Sequence, residues 1–351
     1  MAGGQERVLR RRIRSVESTK KITRAMELIA ASQIVRAQGR IAASRPYVEG
    51  ISEILRRAAA DAGAVSRLVG TPEDPSGVLV LAVVADRGLS GAYNLNVLRA
   101  TERLVRSGTA AGRTHVVMAV GKKAQGYFRF RGQAVERQFS QMTDRPTFED
   151  ARELASAIVP AFLSGEVDLV NVVSTRFISA GNQVVEVRQL LPLVHPGAAT
   201  GAPAGAGPTG GDPSGSPALE LAADESGVTG AEAGIGQHGT PEPAKLGYYE
   251  FEPDPAQLLE RLVPEYVEAA VYAALLEASA SEHTARQRAM SAATENAEEL
   301  IKTLRRVMNR ARQDAITTEI MEIVGGAEAL RSASRGSREL NYPLATEEQI
   351  A

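Results

Sequence analysis

The stretch SAATENAEELIKTLRRVMNRARQDAITTEI, residues 291–320, decides the fold. Within it Ala293, Ala297, Leu300, Leu304, Val307 and Ala311 recur at steps of four and three. That is the heptad spacing of a helix that winds on a partner helix. Neither proline nor glycine occurs from residue 265 to residue 324, a run far longer than an ordinary globular helix. An alanine-rich stripe lets the partner come close. One helix cannot bury such a stripe by itself, so the partner has to lie elsewhere in the chain.

Residues 5–57 supply it. Proline occurs there only at Pro46, and glycine only at Gly39 and Gly50. Leu9, Ile13 and Val16 step by four and three, and so do Ile22, Met26 and Ile29. The second run is displaced from the first by one residue, which a coil absorbs as a local change of winding. Arg10, Arg11, Arg12, Arg14, Lys20, Lys21 and Arg24 crowd the first turns. Two readings stay open for them: a solvated helix face, or a basic surface for a partner with acidic loops. The apolar steps run straight through these charges, which counts against a nucleic-acid patch.

Between the two helices the periodicity changes. Residues 78–85 are almost wholly apolar, as a strand covered on both faces would be. The loop Asp86-Arg87-Gly88-Leu89-Ser90-Gly91-Ala92-Tyr93-Asn94 follows and leads into a helix through about residue 106. Residues 115–120 and 135–139 read as further strands, and Thr147 with Asp150 forms a capping-box start to a helix towards residue 163. Residues 169–177 and 184–191 read as two strands close enough to be hairpin neighbours. Strands alternating with helices imply an α/β layer domain with a partly parallel sheet. Residues 196–245 hold one lysine against six acids, no aromatic residue and much Gly, Ala and Pro. Such a segment cannot offset its ordering entropy by burial and reads as a disordered insertion.

The order of segments sets the geometry. Two long helices flank the α/β domain in sequence, so they leave it side by side and run antiparallel. At 1.5 Å rise per residue they should measure about 75 and 105 Å, the C-terminal one overhanging by several turns. The expected fold class is α/β: a long antiparallel two-helix coiled coil with an inserted small α/β layer domain, a shaft with a foot. The expected divisions are 1–58 for the first helix, 77–195 for the foot and 196–246 for the insertion. Residues 247–330 then form a return segment and the C-terminal helix, and 331–351 a flexible tail.

Composition narrows the function classes. A formal net charge of −2 argues against bulk nucleic-acid binding, although eleven Lys/Arg face only three Glu before residue 46. There is no cysteine, so disulfides and thiol switching are excluded. No apolar run approaches the roughly 20 residues that span a bilayer. Gly88-x-x-Gly91 matches neither dinucleotide nor P-loop patterns, and Ala92 stands where a nucleophile elbow needs glycine. His115, His195, His238 and His283 show no metal-ligand spacing. No catalytic residue, metal or cofactor is expected of this chain.

The helix ends carry a family signal. Arg14-Ser15-Val16-Glu17-Ser18-Thr19-Lys20-Lys21-Ile22-Thr23-Arg24-Ala25-Met26-Glu27-Leu28 resembles the first helix of the rotary ATP synthase gamma subunit. Asn309-Arg310-Ala311-Arg312-Gln313-Asp314-Ala315-Ile316-Thr317-Thr318-Glu319-Ile320, closing on Gly325-Gly326-Ala327, resembles its last, and Asp86 to Asn94 resembles the loop after its first strand. The resemblance implies a non-catalytic central stalk of proton-driven ATP synthesis. Its partners would be the alpha and beta subunits, the epsilon subunit and the membrane c-ring, with no nucleic acid. It implies that Arg286, Arg312, Gln313 and Thr317 meet the catalytic ring, with Met26 on the facing helix and Arg87, Gly88 and Ser90 as a lower contact. Tyr249, Phe251 and Glu252 would approach the rotor ring. The expected location is the cytoplasmic face of a bacterial cell membrane, peripherally bound, since no transit peptide is read. The alternatives from the residues alone are a free α/β nucleotide-binding enzyme with a coiled-coil arm, and a coiled-coil scaffold.

Overall fold

The computed structural model describes residues 2–61, 74–193 and 255–339, together with Leu68, Gly70 and Pro72. Two helices dominate it. Helix α1 (Ala2–Asp61) has 60 residues, continuing through Pro46, and the last helix (Pro255–Glu339) has 85. At 1.5 Å per residue these are about 90 and 130 Å, both longer than the spacing alone implied. Between them lie β1 (Gly77–Val83), α2 (Tyr93–Ala110), β2 (Thr114–Val120), α3 (Lys122–Phe130), β3 (Arg137–Phe139), α4 (Phe148–Leu163), β4 (Leu169–Phe177) and β5 (Gln183–Leu191). The last helix is therefore α5.

The strands form one sheet in the order β3-β2-β1-β4-β5. β1 pairs parallel with β2 and β4, β2 pairs parallel with β3, and β4 pairs antiparallel with β5. β1 is buried at every residue, as its unbroken apolar run requires of a central strand. Alternate residues serve opposite faces. Leu79, Leu81 and Val83 join Met118, Val120 and Val172 against α4, the end of α1 and the first half of α5. Val78, Val80 and Ala82 join Val117 and Ala119 against α2 and α3. α4 starts on the capping box read in sequence, with Thr147 and Asp150 satisfying each other's backbone N–H. The nine-residue α3 has no counterpart in the periodicity. It is held by only two buried side chains, Ala124 and Phe128, one turn apart.

The shaft is antiparallel. Thr23 Oγ1 lies 2.8 Å from Thr294 Oγ1, Lys20 Nζ 2.7 Å from Glu298 Oε1, and Arg305 2.8 Å from Glu17 Oε1, so one number rises as the other falls. The seam corrects the sequence reading in register. On α1, Ile13, Val16, Lys20, Thr23, Glu27, Ala30, Ile34 and Ala37 share one stripe of covered or half-covered residues at uninterrupted steps of three and four. Ile22 and Ile29 stand beside it at 57 and 61 % exposure, so no change of winding is needed. On α5 the seam is Met290, Thr294, Ala297, Ile301, Leu304 and Met308, with Leu300 and Val307 roughly half exposed at its edge. Two neighbouring stripes both repeat every seven residues. On α1 around residues 22–30 the more apolar positions, Ile22 and Ile29, face out, while Thr23 and Ala30 in the seam let the helices approach; on α5 the seam is the more apolar stripe.

α5 passes the end of α1. From about residue 312 to 332 almost every side chain is exposed, and the helix runs through Gly325 and Gly326 to Glu339. The segment after 330 thus begins in helix. Propagation from a preformed helix absorbs two glycines at about 1 kcal/mol each. The insertion at 196–246 lies outside the described residues, as do His195, His238, Tyr249, Phe251 and Glu252.

Candidate functional site

Three places combine specific side chains with restraint. The first is the loop from Asp86 to Tyr93. Asp86 Oδ2 accepts from Gln141 N at 2.9 Å and Thr143 Oγ1 at 3.0 Å, and Oδ1 accepts from Lys122 N at 3.1 Å. The anion favoured at the N-terminus of α3 is thus the chain's own carboxylate, which fills the place a phosphate would take. Asn94 Oδ1 accepts from Ala85 N at 2.8 Å and its Nδ2 donates to Ser90 Oγ at 3.1 Å. With Leu89 at φ 65° and Gly91 at φ 56°, the chain turns so that Ser90 points inward, 1 % exposed, while Arg87 and Leu89 point out. The expected contact trio therefore divides by exposure: Arg87 is exposed and Gly88 half-covered beside it, whereas Ser90 is buried within the turn.

The second place is the joint of α5 with the foot. α5 is covered nearly all round from Val267 to Thr284, and the coverage includes polar residues. Glu282 is 2 % exposed and Arg286 7 %, and the two form an ion pair. Arg286 Nη1 lies 3.3 Å from His283 Nδ1, whose Nε2 lies 3.2 Å from Asp144 O. A guanidinium only donates and a carbonyl only accepts, so His283 is neutral with its proton on Nε2. Burial first of all lowers its pKa, consistent with that form. Burial pushes the Glu282 carboxyl up to about 7, against the pull of Arg286, and its Oε2 has no hydrogen-bond partner. Burial, reinforced by the Glu282 charge, holds the Tyr93 phenol well above its usual range, and its hydroxyl donates to Ala278 O at 3.1 Å. Arg286, expected at a partner surface, is instead inside: its charge is used by Glu282. Sequence periodicity had no access to this cluster, because its members come from α2, the β3–α4 loop and α5; only the density of polar residues on a long apolar helix hinted at it.

The third place is the shaft and its tip. Met26 is half-covered at the edge of the seam, next to exposed Ile22, Leu28 and Ile29. Arg312, Gln313 and Thr317 are all exposed on the bare part of α5, with Ile316, Ile320, Ile323 and Val324 exposed around them. The structure keeps these three together and separates them from Arg286 by about 40 Å of helix. No helix among the described residues is long and apolar enough to cross a membrane.

A long two-helix shaft set on a five-stranded foot has counterparts among solved structures. A chain of the Euglena gracilis mitochondrial ATP synthase (OSCP/F1/c-ring, rotational state 3) matches with a TM-score of 0.59 at 16% identity, over 99% of this chain and 100% of that one. A chain of the Tetrahymena thermophila mitochondrial ATP synthase central stalk and c-ring matches with a TM-score of 0.53 at 20% identity, over 78% and 99%. By fold the class is that of a long antiparallel two-helix shaft on a small α/β foot, shared with these chains. A family model described as ATP synthase matches residues 5–330. The ATP synthase gamma chain of Frankia casuarinae is 42% identical over 335 residues, covering 94% of this chain and 99% of that one. That of Thermobifida fusca is 41% identical over 341 residues, covering 95% and 99%. The chain belongs to the ATP synthase gamma chain family. It is a central-stalk, non-catalytic subunit of a membrane-associated ATP synthase, which displaces the free-enzyme and scaffold readings.

Proposed function

We propose that this chain is the rotor shaft of a bacterial, proton-driven ATP synthase at the cytoplasmic face of the cell membrane, turning inside a ring of alpha and beta subunits. The observation that carries this reading is the bare end of α5. Ile316, Ile320, Ile323 and Val324 stand in water there, and each such side chain gains roughly 1.5–3 kcal/mol when covered. A sleeve formed by the ring would cover them, with Arg312, Gln313 and Thr317 making its polar contacts. Lower down, the exposed bases of α1 and α5 form a positive collar, the α5 share being Lys302, Arg306 and Arg310. That collar suits acidic loops of beta, with Met26 and its apolar neighbours beside it and Arg87 and Gly88 as a lower contact. The foot would rest on the c-ring through Tyr249, Phe251 and Glu252, next to epsilon.

Catalysis would stay on beta. The contribution of this chain is asymmetry: an off-centre two-helix rod presents a different face to each beta subunit as it turns, and differential contact is what shifts a site between open and closed states. The test is ATPase activity of an alpha–beta ring reconstituted with the full chain or with a truncation ending at Val307. Cooperative turnover restored by the full chain and weakened by the truncation is expected. Turnover indifferent to the chain would overturn the reading.

A further inference from the structure

The foot and the shaft are joined covalently only by the chain stretches 62–76 and 194–254. Torque passing between them therefore crosses the non-covalent contacts of the joint as well as those two stretches. Beside buried Val271, Leu275 and Leu276, part of the α5 surface at the joint is alanine, including Ala274, Ala278 and Ala280, whose low relief offers shallow ridges against rolling. Apolar packing is also non-directional: it resists separation more than it resists a turn about the helix axis.

Directional bonds sit in the same turns. Ser279 Oγ donates to Asp144 O at 3.2 Å and His283 Nε2 donates to the same carbonyl at 3.2 Å. Ser281 Oγ donates to Thr175 O, on β4, at 3.3 Å. Tyr93 Oη, on α2, donates to Ala278 O at 3.1 Å. At about 100° per residue, Ser279 and His283 lie on one side of α5 and Ser281 lies about 160° away from each. The helix is thus gripped from two nearly opposite sides, as a couple requires. A side-chain atom about 5 Å from the axis moves about 1.7 Å in a roll of about 20°, which takes a bond of this length out of range.

We infer that Ser279, Ser281 and His283, with Tyr93 from the foot, key the shaft to the foot and carry torque through the joint. Glu282 and Arg286 set the key rather than bear it, because Arg286 donating to His283 Nδ1 leaves the Nε2 proton for Asp144. The inference rests on the rotor-shaft reading and names the residues through which that rotor is loaded.

The experiment uses the whole synthase in membrane vesicles, with ATP hydrolysis and ATP-driven proton pumping measured on one preparation, without and against an opposing proton gradient. The variants are Ser279→Ala/Ser281→Ala, Ser279→Thr/Ser281→Thr and Tyr93→Phe. Three bonds of the four are removed by combining the alanine pair with Tyr93→Phe, which should raise the slipped population on the order of 100-fold. The expected result is wild-type hydrolysis with fewer protons pumped per ATP under load, retained coupling in the threonine pair, and a smaller loss in Tyr93→Phe alone. A change of stability alone would lower the amount of assembled complex without moving the pumping-to-hydrolysis ratio. An unchanged ratio under load in the combined variant overturns the inference. If the combined variant does not assemble, an unchanged ratio in Tyr93→Phe and in each single alanine variant does so. A synthase that pumps equally well without any copy of this chain would instead overturn the rotor reading itself.

Discussion

Replacing Glu282 by glutamine separates two opposed forces at the joint. Loss of the ion pair with buried Arg286 would ordinarily destabilise, since removing one partner of a buried pair costs roughly 3–5 kcal/mol. Burial of the carboxylate works the other way: its pKa is pushed from 4.5 up to about 7, with desolvation outweighing the attraction of Arg286 and the repulsion of Asp144 and Asp86 adding to it. The unpartnered Oε2 gives this a structural origin. The folded chain therefore holds the Glu282 proton more tightly than the unfolded chain does. Stability from this group is complete below pH 4.5 and is lost as the pH rises through about 7. The shift converts to at most about 3 kcal/mol. Glutamine resembles the protonated acid at every pH, so Glu282→Gln should differ from the wild type by no more than about 1 kcal/mol near pH 5 and exceed it by up to about 3 kcal/mol above pH 8. His283, whose lowered pKa acts with the opposite sign below its ordinary value, is present in both proteins and drops out of the difference. The assay is the thermal unfolding midpoint of the full chain from pH 5 to 8.5, wild type against variant. A variant that is less stable at pH 8, or a difference flat across the range, refutes the reasoning: the first would mean that the Arg286 attraction wins.

Other outcomes follow from single contacts. Thr23→Val and Thr294→Val should each cost about 1 kcal/mol, and together less than their sum, because the pair bonds across the seam at 2.8 Å; a double-mutant cycle on unfolding checks this. Asp86→Asn keeps the shape but sets an amide N–H₂ against backbone donors of Gln141 or Lys122, so it should cost about 2–4 kcal/mol and speed hydrogen exchange at those amides. Gly121→Ala should destabilise by at least about 2 kcal/mol, since Gly121 has φ 97° and an added Cβ would lie 2.2 Å from Val84 O; unfolding midpoints measure it.

The sequence carried the elements well where one regularity dominated. The unbroken apolar run of β1, the capping box of Thr147 and Asp150 and the proline-free length of α5 each have one structural meaning. It failed where two patterns shared a period. Ile22 and Ile29 obey the heptad as faithfully as Thr23 and Ala30 do, and hydrophobicity favoured the former pair. What decides between them is the uninterrupted register from Ile13 to Ala37, which passes through Lys20 and Glu27 and so looks less like a seam the shorter the window. The candidate site divided likewise. Arg312, Gln313 and Thr317, singled out by the resemblance, lie exposed on one stretch of helix, but the burial of Arg286, singled out in the same way, depends on Glu282, His283 and a loop 139 residues before His283.

The exposure of α5 along its length ties these observations to motion. From Val267 to Thr284 it is enclosed, from Met290 to Ala311 it is covered along one seam, and beyond that it is bare. The enclosed stretch is poor in charged residues and the seam and bare stretches are rich in them, as their exposure requires. An isolated helix of some 20 residues would be marginal in water, but here the costly nucleus already exists in the coil and the free end forms by propagation. The end can therefore stay helical before any partner arrives and present Ile316, Ile320 and Ile323 in a fixed arrangement. A rod that is locked at its base by directional bonds, stiffened in the middle by a second helix and left single at its tip bends most easily where only one helix remains. On the proposed reading, torque applied at the foot would thus be delivered along the paired section, and the single-helix tip would serve as a pivot.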